Sequence, residues 1–190
     1  MTKFILPLCL MLFSILSFCQ EAKRTIFKAD KGLVSFTSDA PLEIIRAESE
    51  ELKGIVDPVK NSFAFQLNTT TLTGFNSPLQ QEHFYENYIE TEKYPTASFS
   101  GKIIEQINFD KPGKQTIRAK GILEIHGVKN ERIIKVDIET GNQVIIAKST
   151  FFVNLDDHNI SIPKLVYQKI AEEIMVDIDV VLQLTSITKE

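Results

Sequence analysis

Apolar and polar residues alternate along most of this chain. The pattern is clearest near its end. There Ile174, Val176, Ile178, Val180, Leu182 and Leu184 take every second position, and Asp177, Asp179 and Gln183 stand between them. A period of two is that of a β-strand, whose successive side chains point to opposite faces. Two carboxylates keep the odd face in water, so the even face points inward. Upstream, Ile145, Ala147, Ser149, Phe151, Val153 and Leu155 share a face, as do Ile134, Val136 and Ile138. Ile117, Ala119, Gly121, Leu123 and Ile125 form another stripe, and Ala97, Phe99, Gly101 and Ile103 the next. Phe63, Phe65 and Leu67 align likewise, Val34 and Phe36 belong to an early strand, and Ile44 and Ile45 to a short one.

The separators are short and carry turn formers: Lys111-Pro112-Gly113-Lys114, Gly127-Val128-Lys129-Asn130 and Gly141-Asn142. They read as antiparallel hairpins. About eight strands joined in this way close into an up-and-down barrel or stack as a sandwich. One segment breaks the rule. Ser77-Pro78-Leu79-Gln80 has the form of a helix start, with Ser77 as N-cap, Pro78 at the first helical position and Gln80 completing a capping box. Phe84, Tyr85, Tyr88 and Ile89 then recur at helical spacing, and the helix should stop before Pro95. A second short helix or turn is expected over 163–171, where Leu165, Val166 and Ile170 are apolar.

The first nineteen residues follow neither period. Lys3 precedes an apolar run from Phe4 to Phe18, and polar Gln20, Glu21, Lys23 and Arg24 come too early for a span of about 20 apolar residues. Ser17 and Cys19 are small residues at the right places for cleavage before Gln20. The expectation is a signal peptide over 1–19 and one domain over 20–190, exported to the periplasm or outside the cell, with no transmembrane span after cleavage. The alternative is a lipoprotein anchored at Cys19, which bulky Phe18 disfavours. Both cysteines, Cys9 and Cys19, lie in this segment. Cysteine nucleophiles, disulfides and cysteine zinc sites are therefore excluded from the mature chain.

Composition narrows the function classes. With 43% hydrophobic and 24% charged residues the chain is of ordinary globular type. It carries 21 basic against 25 acidic side chains and no long basic run, so nucleic acid is not an expected partner. The candidates for chemistry are few. His83 and Glu86 form an H-x-x-E pair on the expected helix, but Asn87 stands where a metalloprotease needs a second histidine. His126 at a strand end reads as a turn-fixing hydrogen bond, and His158, after Asp156 and Asp157, as a surface loop residue. G-x-S-x-G, P-loop and G-x-G-x-x-G motifs are absent. Glu86 with Glu90, and Asp177 with Asp179, read as solvated surface. No catalytic residue, metal site or cofactor is expected.

The interior remains. An eight-stranded barrel is filled by its own side chains or holds one slender ligand. Phe36, Phe63, Phe65, Phe99, Leu123, Ile134, Phe151, Ile178 and Leu182 are the expected apolar lining, and small Ala97, Ala119, Gly121, Ala147 and Ser149 leave room beside them. Residue types alone leave the open and the filled interior both standing.

Three stretches resemble a known family. Leu79–Asn87 followed by Lys93-Tyr94-Pro95-Thr96-Ala97-Ser98-Phe99-Ser100-Gly101 looks like the central signature of the YceI-like family. Gly121-Ile122-Leu123-Glu124-Ile125-His126-Gly127-Val128-Lys129 matches its G-x-L-x-I-H-G-V-[TK] run, and Phe151–Ile160 parallels its strand-to-loop stretch. The resemblance covers roughly 25–184. The chain departs from it at Gln81-Glu82, where an Arg-Asp pair is usual, and at Asp157-His158-Asn159, where an aromatic and a glycine usually follow the Asp. The usual early Trp is also missing, with Ile26 or Phe27 nearby. The resemblance implies an all-β, eight-stranded, antiparallel, lipocalin-like barrel with one or two short helices. It also implies a hydrophobic small-molecule partner, an isoprenoid or another lipid. The alternative function is an envelope stress or interaction protein with a filled barrel. A lipid-modifying enzyme using His83, His126 or His158 comes third, and a homodimer is compatible with each.

Overall fold

The computed structural model describes residues 24–109 and 111–187. The expected signal peptide, its cleavage site before Gln20 and both cysteines lie outside the described residues. Ten strands form one antiparallel sheet: β1 (Arg24–Ala29), β2 (Gly32–Asp39), β3 (Ile44–Ser49), β4 (Lys53–Asp57), β5 (Ser62–Asn68), β6 (Thr96–Ile103), β7 (Gly113–Ile125), β8 (Val128–Gly141), β9 (Val144–Asn154) and β10 (Glu173–Ile187). They occupy eight places around a closed barrel. β1 and β2 run end to end along β10, and β4 and β3 run end to end beside them. Phe27 faces Val56 and Val34 faces Ser49, so one register passes through the break. From β4 onward each strand pairs with its neighbour in sequence, and β10 closes the ring on β1 and β2.

The break has a physical cause. Along β10, Lys28 faces Gln183 while Gly32 faces Val180, so the early strand carries one residue more than its partner. Such a bulge reverses the side-chain faces. The core residues accordingly change from Phe27 and Ala29 to Val34, and across the pair from Ala47 to Leu52 and Val56. No stripe longer than three residues survives on either strand, which is why β4 leaves no alternation in the sequence. The two tight hairpins start one residue off the expected places, and the third expected turn, 111–114, is the end of a nine-residue connection over 104–112, with Gly113 and Lys114 already in β7. Ile125 pairs with Val128, so His126 and Gly127 make the turn, both with positive φ (52° and 71°) as the tight hairpin of opposite twist requires. A Cβ on Gly127 would lie 2.4 Å from the Tyr94 ring.

One end of the barrel carries the short β4–β5 and β8–β9 turns and the longer β6–β7 connection over 104–112. The other carries the hairpin at 40–43, the helical segment between β5 and β6, the His126-Gly127 turn and the long β9–β10 connection. In α1 (Pro78–His83) the Ser77 hydroxyl accepts the Gln80 N–H at 3.2 Å. The Gln80 side-chain oxygen returns to the Asn76 N–H at 3.0 Å, one residue before the expected capping-box partner. The helix passes into a π-helical turn over Phe84–Tyr88 and stops at Glu90, whose φ is 49°. Residues 163–171 form successive turns, with the Val166 N–H on the Pro163 carbonyl and the Lys169 N–H on that of Val166.

One seam is incomplete. β8 and β9 pair only between Asp137–Gly141 and Val144–Lys148. Beyond that point side chains replace the ladder. Ser149 Oγ donates to the Lys135 carbonyl at 2.7 Å, and Arg132 Nη2 donates to the Phe152 carbonyl at 2.8 Å.

Candidate ligand cavity and its lid

The inward faces do not meet at the centre. They enclose a cavity of about 550 Å3, within the range of ligand pockets. All nine residues expected to face inward stand on its wall: Phe36 on β2, Phe63 and Phe65 on β5, Phe99 on β6, Leu123 on β7, Ile134 on β8, Phe151 on β9, and Ile178 and Leu182 on β10. Small Ala97, Ala119, Ala147 and Ser149 lie among them. Phe63 and Phe99 touch at 4.8 Å between centroids, and Phe65 lies 6.3 Å from Phe63. The inner face of Gly54 is covered by the Phe65 ring. Leu184, on the same stripe as Leu182, lies beyond the core and is exposed.

Side chains outside the strands finish the enclosure. Phe84 packs on Phe36 at 5.4 Å and on Phe75 at 4.9 Å, laying the helical segment over one end as a lid. Ile107 and Phe109 close the other end, with Phe109 5.5 Å from Phe27. Tyr85 fastens the lid, its hydroxyl donating to the Leu72 carbonyl at 2.6 Å. Tyr88 also lines the cavity, and burial pushes its phenol above the usual value. Parity along strands could not reveal Phe75, Phe84 or Phe109, because each belongs to a connection. Other local patterns do mark some of them: Phe84 and Tyr88 share the apolar face of the helical segment, and Ile107 and Phe109 alternate after β6.

The three histidines separate into two roles. His83 is exposed at the cavity mouth and meets neither of the others. His126 and His158 come together under the lid. His126 Nδ1 bonds the His158 carbonyl at 3.0 Å, and Nε2 bonds the Glu90 carboxylate at 2.6 Å. Both partners are acceptors, so both bonds form together only when each ring nitrogen carries a proton. Tyr94 packs edge-on against the ring at 4.6 Å. His126 thus does more than fix its own turn, since it ties the lid's last residue to the β9–β10 connection. His158 corrects the sequence reading. Expected on a surface loop, it is fully buried in the 3-10 turn Asp156–His158. Its Nδ1 faces the Ile125 carbonyl at 3.3 Å and its Nε2 makes no hydrogen bond. Burial holds the ring's pKa below the usual histidine value and Arg132 adds to this. The Ile125 and Val128 backbone and Asp157 pull the other way. Val128 acts here without the geometry of a hydrogen bond. Among the described residues no group of three or more His, Cys, Asp or Glu is placed to hold a metal, and no helix is long and apolar enough to cross a membrane.

Over residues 27–182 the sequence matches the YceI-like domain. The chain belongs to the YceI-like family. No curated protein is similar to it in sequence. Solved structures share the YceI-like fold at low identity. A polyisoprenoid binding domain from Saccharophagus degradans, implicated in plant cell wall breakdown, superposes with a TM-score of 0.71 at 11% identity, over 86% of this chain and 99% of that one. BcnA of Burkholderia cenocepacia gives 0.65 at 14%, over 79% and 95%. The YceI protein of Campylobacter jejuni gives 0.55 at 13%, over 75% and 83%.

The YceI-like motifs in this chain supply part of the cavity wall, through Phe84, Phe99, Leu123 and Phe151, and they also build the lid junction. Tyr94 meets His126, Asn130 Nδ2 donates to the Asp157 carbonyl at 2.6 Å, and the Thr69 N–H and hydroxyl both reach the Pro95 carbonyl. Asn159, which stands where the family commonly has glycine, takes φ 56° and ψ 32°, a conformation asparagine tolerates. The departure there is conformationally neutral.

Proposed function

We propose that this YceI-like protein is an exported carrier that holds one long apolar chain, an isoprenoid or another lipid tail, inside its barrel. The observation that carries the proposal is the cavity inside the barrel, open at one mouth, with a wall mostly of aromatic and aliphatic side chains. Such a wall binds by removing apolar surface from water, worth about 25 cal/mol per Å2, and needs no reactive group. The polyisoprenoid binding domain of S. degradans, which shares the fold, supports the cargo class. On this reading Phe36, Phe63, Phe65, Phe99, Leu123, Ile134, Phe151, Ile178 and Leu182 contact the chain. Residues 20–190 act as one domain in the periplasm or outside the cell after loss of 1–19, and the protein binds its cargo without transforming it.

Affinity should then grow with chain length until the cavity is full, by up to about fourfold for each added carbon. Native mass spectrometry of protein purified from its own envelope fraction without detergent, followed by organic extraction, tests the proposal. A stoichiometric adduct that extracts as an apolar chain is expected, and the same mass reports whether the carrier is a monomer or a homodimer. A bare protein that stays bare after incubation with polyprenyl quinones would overturn it in favour of an interaction protein.

A further inference from the structure

Large apolar side chains stand in water around the cavity mouth. Leu165 is 97% exposed, Leu42 65%, Tyr167 64% and Leu79 59%. They come from three segments that touch. The Leu42 N–H donates to the Gln168 carbonyl at 2.9 Å, and Gln80 Nε2 donates to Glu43 at 2.9 Å, joining the hairpin at 40–43 to the β9–β10 connection and to α1. Leu79, His83, Val166 and Lys169 from these segments also line the cavity, so the apolar rim and the apolar interior are continuous. Isolated exposed leucines are ordinary, but a cluster around a cavity entrance is not. Charge adds a second observation. Between the exposed acids Asp156, Asp157, Glu172 and Glu173 at its two ends, the middle of the β9–β10 connection, residues 160–171, holds Lys164 and Lys169 and no acid.

We propose that this rim docks on an anionic phospholipid surface, with Leu165 and Tyr167 entering the interface and Lys164 lying against the headgroup phosphates. Leucine and tyrosine beside lysine are the residue types that settle at a bilayer boundary. Lysine near an anionic surface is attracted within a Debye length. The acids nearby set the orientation. Glu43 lies 4.0 Å from Lys169 and offsets it, while exposed Glu82 and Glu86 on the lid, and Asp156, Asp157, Glu172 and Glu173 at the ends of the connection, keep those parts away from the phosphates. The turn at 163–167 therefore leads. Docking rests on the carrier reading only for its purpose, which is to pass an insoluble chain from bilayer to barrel without crossing water.

Flotation of the purified protein with vesicles of phosphatidylethanolamine and phosphatidylglycerol tests the proposal. The protein is expected to float with them, less at high salt and less with phosphatidylcholine alone. A Leu165→Asp/Tyr167→Asp variant should partition at least tenfold more weakly with an unchanged thermal midpoint, since both side chains are exposed. Lys164→Glu should weaken floating at low salt only. Val59→Asp, 84% exposed in the turn at the opposite end, should float like the parent. The proposal is overturned if the parent does not float, if Val59→Asp matches the double variant, or if the double variant merely turns a dimer into a monomer. Uptake of a fluorescent isoprenoid alcohol without vesicles separates the two readings. Uptake without floating removes docking and leaves the carrier, and floating without uptake does the reverse.

Discussion

Replacing His158 with phenylalanine should leave the barrel as stable as before or make it more stable. The ring is fully buried, its Nδ1 contact with the Ile125 carbonyl is long at 3.3 Å, and its Nε2 has no partner. Losing the one hydrogen bond costs about 1 kcal/mol, while removing a buried unsatisfied nitrogen returns about 1–3 kcal/mol. The net gain is between zero and about 2 kcal/mol at pH 7.5. For a domain of this size that raises Tm by up to about 8 °C. The pH dependence is sharper evidence. Burial lowers the folded-state pKa of His158, so below the unfolded value of about 6.5 the unfolded chain binds more protons. The parent should therefore lose stability as pH falls from 6.5 toward the folded-state value, by up to about 1.4 kcal/mol per pH unit. His158→Phe should lack that component. Urea unfolding of both proteins at pH 7.5, 6.5 and 5.5, followed by far-ultraviolet circular dichroism, measures it, and carboxylates common to both cancel in the difference. A variant less stable than the parent by more than about 0.5 kcal/mol at pH 7.5, or two parallel pH profiles, would refute the reasoning.

Three other outcomes follow from the geometry. His126→Ala breaks the bonds to Glu90 and to the His158 carbonyl and leaves alanine at φ 52°, so thermal denaturation should show a loss of about 2–4 kcal/mol, and a shift below about 0.5 kcal/mol would deny the lid junction its role. Gly101→Ala should fail to give folded protein, because its Cβ would sit 2.1 Å from the Lys120 carbonyl oxygen where β6 and β7 approach at paired glycines; a soluble variant with native circular dichroism would contradict this. Ala147→Phe places a ring in the cavity and should cut uptake of an isoprenoid alcohol at least tenfold while lowering stability by no more than about 1–3 kcal/mol; unchanged uptake would place the ligand elsewhere.

Strands with one face in water and one inside were legible wherever the alternation ran unbroken. The walls from β6 to β10 followed from that, and so did the positions of the nine lining residues, since parity fixes direction without knowledge of the partner. The bulge near Asp30 erased the same signal from β3 and β4. The lid was half legible. Ser77 and Pro78 announced the helix start, but Phe75 and Phe84 reach Phe36 through tertiary placement that no local spacing encodes. His158 was misread because Asp156 and Asp157 suggested a solvated loop. Those acids do stay exposed, and the tight turn that Asn159 permits sends the next side chain inward.

A complete β-ladder fixes a barrel's girth, because every strand stands a set distance from the next. At the β8–β9 seam that distance is set by the reach of two side chains, Ser149 and Arg132. Strand number and shear cannot change by point substitution, but the length of a side chain can. The width of this container is thus partly written in ordinary, replaceable residues. A lineage of such barrels can be widened or narrowed one residue at a time, with the rest of the wall untouched.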